Sequence, residues 1–166
     1  MNEIVQYLVD LFQNTIPKEL TIFIISLFPI LEIRGGMIAA GLLGMTGIDL
    51  IKAFIICYIG NLLPIPFILL FIRRIFKFLR RFKFMHKIID RLEAKGERNR
   101  EKVLRYKAWG LLAFVAIPLP GTGGWTGALI AALLDLRMKK ALPIIAIGVF
   151  IAGLIMSLIT YGIFHF

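Results

Sequence analysis

The chain reads as an all-α integral membrane protein, on the strength of its bulk hydropathy, two long uncharged apolar runs and a charge excess confined to one connector. Of its 166 residues 59% are hydrophobic and 14 are Phe. Its mean hydropathy of +0.86 leaves too little polar residue to coat a soluble globule. Residues 53–72 and 141–164 are uncharged runs of 20 and 24 residues, and about 20 helical residues cross the hydrocarbon core of a bilayer. Both are expected to be full transmembrane helices.

The N-terminal stretch NEIVQYLVDLFQNTI (2–16) places Ile4, Val5, Leu8, Leu11 and Phe12 on one helical face and Glu3, Gln6, Asp10 and Gln13 on others, the pattern of an interfacial helix. With Glu3 and Asp10 and no early Lys or Arg, it does not read as a cleavable signal peptide. The net charge is +10, and all of the excess lies in the connector, residues 73–107. That segment holds 14 Lys/Arg against 4 Asp/Glu, and the remainder holds 6 of each. The positive-inside rule puts the connector in the cytoplasm. Ile75, Phe76, Leu79, Phe82, Ile88, Ile89 and Leu92 recur there at helical spacing between basic residues, as in a helix resting on anionic lipid. Membrane lipid is therefore the expected partner of these charges, and nucleic acid is not.

The two halves resemble each other. FPILEIRGGMIAAGLLG (28–44) aligns with IPLPGTGGWTGALIAALL (117–134), Pro29 on Pro118 and Gly35 on Gly124. KAFIICYIGN (52–61) aligns with KALPIIAIGV (140–149), Gly60 on Gly148. An offset of 88 to 89 residues suggests a duplicated unit. In each unit an apolar segment, 20–47 or 108–136, is split by Pro and Gly into arms too short to cross the bilayer alone. The segments either cross as interrupted helices or turn back as re-entrant hairpins. With the connector inside, Arg137, Lys139 and Lys140 are also inside only if the second segment turns back, so the positive-inside rule favours re-entry.

The expected architecture is thus one membrane domain over 1–166. It is an inverted repeat of two opposed re-entrant hairpins (20–47 and 108–136) and two full spans (53–72 and 141–164). The first unit is 1–72, including the interfacial helix, the basic connector is 73–107, and the second unit is 108–166. Hairpin tips that meet near the midplane are where transporters of this construction bind substrate, and irregular backbone at that depth must be buried in protein or line a wet cavity.

Both tips carry chemistry. PILEIRGG (29–36) holds Glu32 and Arg34, the only charged residues deep in an apolar segment, and intramembrane ionisable groups commonly mark substrate or ion pathways. They could equally neutralise each other or cap the tip. Two apart in a loop, they could project into one cavity, Arg34 as a forked cation for phosphate or carboxylate and Glu32 as a proton relay beside Gly35 and Gly36. The second tip, PLPGTGGWTG (118–127), offers Pro118, Pro120, Gly121, Thr122, Gly123, Gly124, Trp125 and Thr126. Its glycines permit close backbone approach, and a helix from Gly124 to Leu136 presents free N–H groups suited to an anion. It lacks the Gly-Lys-Ser/Thr end of a Walker loop.

Asn61, Pro64 and Pro66 read as a packing kink in the first span, and Ser157, Thr160 and Tyr161 as inter-helix hydrogen bonds. The single cysteine, Cys57, reads as core, and His86 and His165 have no ligand-forming neighbours in sequence, so no metal and no cofactor are expected. Without a Ser/His/acid set or paired carboxylates the chain is not expected to be an enzyme.

The E-x-R-G-G tip and the P-x-P-G-T-G-x-W-T-G tip, about 88 residues apart around a basic connector, resemble the small multi-drug export protein family over nearly the whole length. That family in turn looks like a distant relative of the DedA/VTT membrane proteins, which implies opposed re-entrant hairpins and a link to lipid scrambling and polyprenyl-phosphate recycling. The substrate-site residues so implied are Glu32, Arg34, Gly35, Pro118, Pro120, Gly121, Thr122 and Gly123. Three functions are compatible: a transporter or flippase for an amphipathic anion such as a polyprenyl phosphate, with proton coupling; a proton-coupled exporter of lipophilic cations; and a non-transporting membrane scaffold. A unit of two spans needs a partner subunit to enclose a path, so a homo-oligomer in the cell membrane is expected.

Overall fold

The structure is a computed structural model that describes residues 2–12, 15–79, 100–119, 121–134 and 136–164. The readings placed on Pro120, His86, His165 and connector residues 80–99 lie outside these. All regular structure among the described residues is helical: α1 (Asn2–Phe12), α2 (Lys18–Leu27), α3 (Glu32–Leu42), α4 (Ile48–Leu62), α5 (Ile65–Leu79), α6 (Arg100–Ala116), α7 (Gly124–Leu133) and α8 (Met138–Phe164).

Two stretches are long and apolar enough to cross a membrane, Ile48–Phe71 and Met138–Thr160, and only 28% and 33% of their most apolar windows is buried in the protein. A soluble core helix would bury most of its apolar surface. Here Ile48, Ile51, Ile55, Ile59, Leu63 and Phe67 form an exposed stripe at three- to four-residue spacing, as do Ile147, Phe150, Leu154 and Leu158, and such a stripe is suited to lipid.

The two spans differ in form. α8 runs unbroken through Pro143. The first span changes helix at Leu63–Pro64, between α4 and α5, where Pro64 and Pro66 withhold the donors that the Gly60 and Leu62 carbonyls would receive in a regular helix. The N-terminal helix α1 stops at Phe12, with Val5 and Val9 buried, while Ile4, Tyr7 and Leu11 remain exposed. The first arm of the second broken segment starts well before Ala108, because α6 already runs from Arg100 and crosses the sequence-based connector boundary.

Each broken segment is a pair of helices joined by a short connection, residues 28–31 in one and, among the described residues, 117–119 and 121–123 in the other. Small residues let the helices meet. A Cβ added to Gly36 would overlap the Ser26 hydroxyl and lie 2.6 Å from Cys57 Sγ and 3.2 Å from the Ile22 carbonyl. One added to Gly127 would meet Val115, Leu111 and Ile145. Gly60 sits against Phe23 O and Ser26 Cβ (3.0 and 3.2 Å from the added atom), Gly148 against Leu112 O and Val115 Cβ (3.4 and 2.7 Å). Lys18 Nζ donates to the Leu43 carbonyl just past α3 (2.8 Å), and Lys107 Nζ to the Leu134 carbonyl just past α7 (3.3 Å). Both C-caps have the same backbone, φ −79°, ψ 3° at Leu43 and φ −80°, ψ 3° at Leu134.

These contacts pair Gly36 with Gly127, 91 positions apart, whereas sequence alone pairs Gly35 with Gly124. The longer second turn shifts the register, which similarity of short Gly-rich strings does not reveal. Across the halves α3 packs on α8 and α7 on α5. Tyr58 donates to the Ala146 carbonyl (3.2 Å) beside an aromatic cluster of Phe54, Tyr58 and Phe150.

Candidate functional site

Glu32 and Arg34 are not in the tip loop. The turn Phe28–Leu31 closes when the Phe28 carbonyl accepts from the N–H groups of Leu31 and Glu32 (3.2 and 2.9 Å), and both charged residues lie in the first turn of α3. Glu32 enters that helix with φ +52°, the one non-glycine residue with positive φ among those described. A non-glycine side chain there stores backbone strain, which the surrounding structure must hold in place. Glu32 and Arg34 are each only 3% exposed.

Both side chains reach the second tip. The Glu32 carboxylate accepts from Gly124 N–H through Oε2 (3.1 Å) and from Trp125 N–H through Oε1 (3.0 Å). It therefore caps α7, neutralising two free donors and the positive end of the dipole of a helix in the other half of the chain. Arg34 grips the same loop from its carbonyl side: Nη1 donates to Leu119 O, and Nη2 to Thr122 O and to Thr122 Oγ1, the last at 3.0 Å. An acid thus holds the amides of the tip and a base holds its carbonyls. Such charge-assisted bonds are roughly twice as strong as neutral ones.

The second tip is shaped for this. Gly123 has φ +140°, and a Cβ there would overlap Glu32 Oε2, lie 2.6 Å from Glu32 Cδ and 2.9 Å from Arg34 Nη2. Only glycine admits the carboxylate. Thr122 Oγ1 donates toward the Ile117 and Leu119 carbonyls (2.7 and 2.8 Å) and accepts from Leu119 N–H (3.2 Å), while Thr126 Oγ1 donates to Gly121 O (3.0 Å). Both hydroxyls thus brace the loop.

Of the residues expected from sequence, the structure joins Glu32, Arg34, Thr122, Gly123, Gly124 and Trp125 in one contact. Gly35 and Gly36 serve helix packing, Gly35 against Leu31 and Ile25. Pro118 is half-buried, and Gly121 is exposed at the turn. The helix starts at Gly124 as expected but ends at Leu133. Ser157 donates to Gly153 O of its own helix (2.8 Å) and makes no inter-helix bond there. Cys57 is buried, as read.

Asn61, read as part of a kink, belongs to the site. It is 0% exposed, its Oδ1 lies 3.0 Å from where a Gly124 Cβ would stand, and its amide neighbours the Glu32 carboxylate. Neither Nδ2 nor Oδ1 has a hydrogen-bond partner, nor do Arg34 Nε and Trp125 Nε1. These unpartnered buried atoms all belong to residues at this contact, and native structures keep few such groups. The available signal was a lone Asn in an otherwise apolar span.

An all-helical architecture, apolar outer faces and charged groups sealed at an inter-helix contact define a membrane protein. A family model described as "Putative small multi-drug export protein" matches residues 32–155, from Glu32 itself into α8. The chain belongs to that small multi-drug export family. Comparisons with curated proteins and with solved structures return no match.

Proposed function

We propose that the chain is a transporter in which an amphipathic anion, such as a phosphate-headed lipid, exchanges with the Glu32 carboxylate at the contact between the two tips. In this reading α2–α3 and α6–α7 are re-entrant hairpins that enter from opposite faces of the membrane and meet near its midplane. The matched packing of Gly36 with Gly127 and Gly60 with Gly148, and the paired lysine caps, support a duplicated unit. The basic residues after α7 and in the connector support the inversion.

The observation that carries the exchange is the seat of Glu32. The α7 N-terminus and the nearby guanidinium form the kind of site that takes an anion, and the anion in it is the protein's own. A substrate phosphate can replace the carboxylate without leaving Glu32 charged and unpaired in a buried place only if Glu32 takes a proton. One proton is then bound with each substrate anion. Such coupling moves anion and proton together, inward across an energised membrane.

Export of lipophilic cations is the second reading, favoured by the family description. There Glu32 binds either cation or proton, and transport runs outward against proton entry. Arg34 weighs against it, because it repels a cation.

Glu32→Gln separates the two. Native mass spectrometry of the purified protein is expected to find a phosphate-headed lipid retained about tenfold more strongly in Glu32→Gln, since a competing charge has been removed. Weaker retention in the variant, together with loss of proton-driven efflux of a lipophilic cation from proteoliposomes, would reject anion exchange in favour of cation export.

A further inference from the structure

We propose that Asn61 is the second seat of the Glu32 side chain, the amide that receives its protonated carboxyl group when the α7 N-terminus is given up. In the structure Glu32 occupies its first seat, bonded to the N–H groups of Gly124 and Trp125. Asn61 stands beside that seat on α4, fully buried, with both amide heteroatoms unpartnered. The amide lies next to the Glu32 carboxyl but makes no hydrogen bond of normal length and angle while Glu32 occupies its first seat. Leaving such a group unpaired in the interior carries a free-energy cost, which an apolar side chain of similar shape would avoid. The presence of an amide there is accounted for if it is used in another arrangement of the site.

The geometry makes the move short. Asn61 Oδ1 approaches Gly124, whose N–H is one of the bonds Glu32 would break. Glu32 sits at φ +52°, a strained backbone that the surrounding structure must hold in place. Asn61 sits about one turn before the Leu63–Pro64 break, where α4 gives way to α5 and the prolines leave ladder hydrogen bonds unmade. Arg34 holds Leu119 and Thr122 independently of the Glu32 seat, so these bonds can keep the loop attached while its amides become free.

This rests on the exchange reading only in that the contact must open, and its test needs no substrate. Hydrogen exchange of the Gly124 to Thr126 amides in the purified full chain reports how often Glu32 leaves. In Asn61→Leu the departing carboxyl group has nowhere to go, so these amides are expected to exchange about tenfold more slowly, the loss of one hydrogen bond. Asn61→Ser, which keeps a donor, should stay within about threefold of the wild type. In Glu32→Ala, exchange should be fast and indifferent to a further Asn61→Leu. Unchanged or faster exchange in Asn61→Leu overturns the proposal, and so does slowing that extends equally to the other amides of α4 and α7, the sign that leucine merely relieves an unpaired polar group. If exchange slows as expected and no phosphate-headed lipid binds, the substrate reading falls and the second seat stands.

Discussion

A methyl group at Gly123 would collide with the Glu32 carboxyl and crowd the Arg34 guanidinium, on a backbone at φ +140° that side chains rarely adopt. Gly123→Ala is therefore expected to cost about 2–4 kcal/mol, read as a drop in thermal melting of the purified protein. An unchanged melt would mean that the contact between the tips is not what holds them. Arg34→Lys tests the other side of the loop. A lysine keeps the charge but cannot span the carbonyls of Leu119 and Thr122 with one planar fork. It should lose about 1–3 kcal/mol, nearly as much as Arg34→Ala. If Lys restored full stability, charge rather than geometry would be the working property of Arg34.

At the scale of elements, the two hairpins are closed by the same devices, so matched substitutions should have matched effects. Lys18→Met and Lys107→Met each remove a cation from the carbonyl end of a short helix. Each is expected to cost about 0.5–1 kcal/mol in melting measurements. A large loss in one and none in the other would argue against equivalent roles. The broken segments and the helix start at Gly124 were legible from sequence because proline, glycine and hydropathy act locally. The capping lysines were not, since Lys18 and Lys107 look like ordinary flanking charges until the chain folds back on them. Asn61 was hidden for a related reason: next to Pro64 it has a sufficient local explanation, and its neighbours Glu32 and Gly124 are 29 and 63 positions away. The hydrogen bonds that the Gly124 and Trp125 N–H groups donate to Glu32 cross more than 90 positions. Sequence pattern named the residues at both ends but could not say that one tip would fill the anion seat of the other.

For the whole molecule, the proposal that the hairpins enter from opposite faces predicts a labelling pattern. In a Cys57→Ala background, single cysteines at Thr15 and Thr46 flank the first hairpin, and cysteines at Lys107 and Arg137 flank the second. A membrane-impermeant thiol reagent added from one face should label the first pair, and from the other face the second. Labelling of Thr15 and Thr46 positions from different faces would mean that the segment between them crosses.

The hold of one tip on the other also bears on how the protein is made. Residues leave the ribosome in order, so Glu32 and Arg34 exist long before residues 119–125 that receive them. Until then the first half carries an acid and a base with none of their final partners, in a chain already committed to the membrane. The joining of the tips is consequently a late event in biogenesis, and a chain truncated in the connector should be recognised and degraded as unfinished.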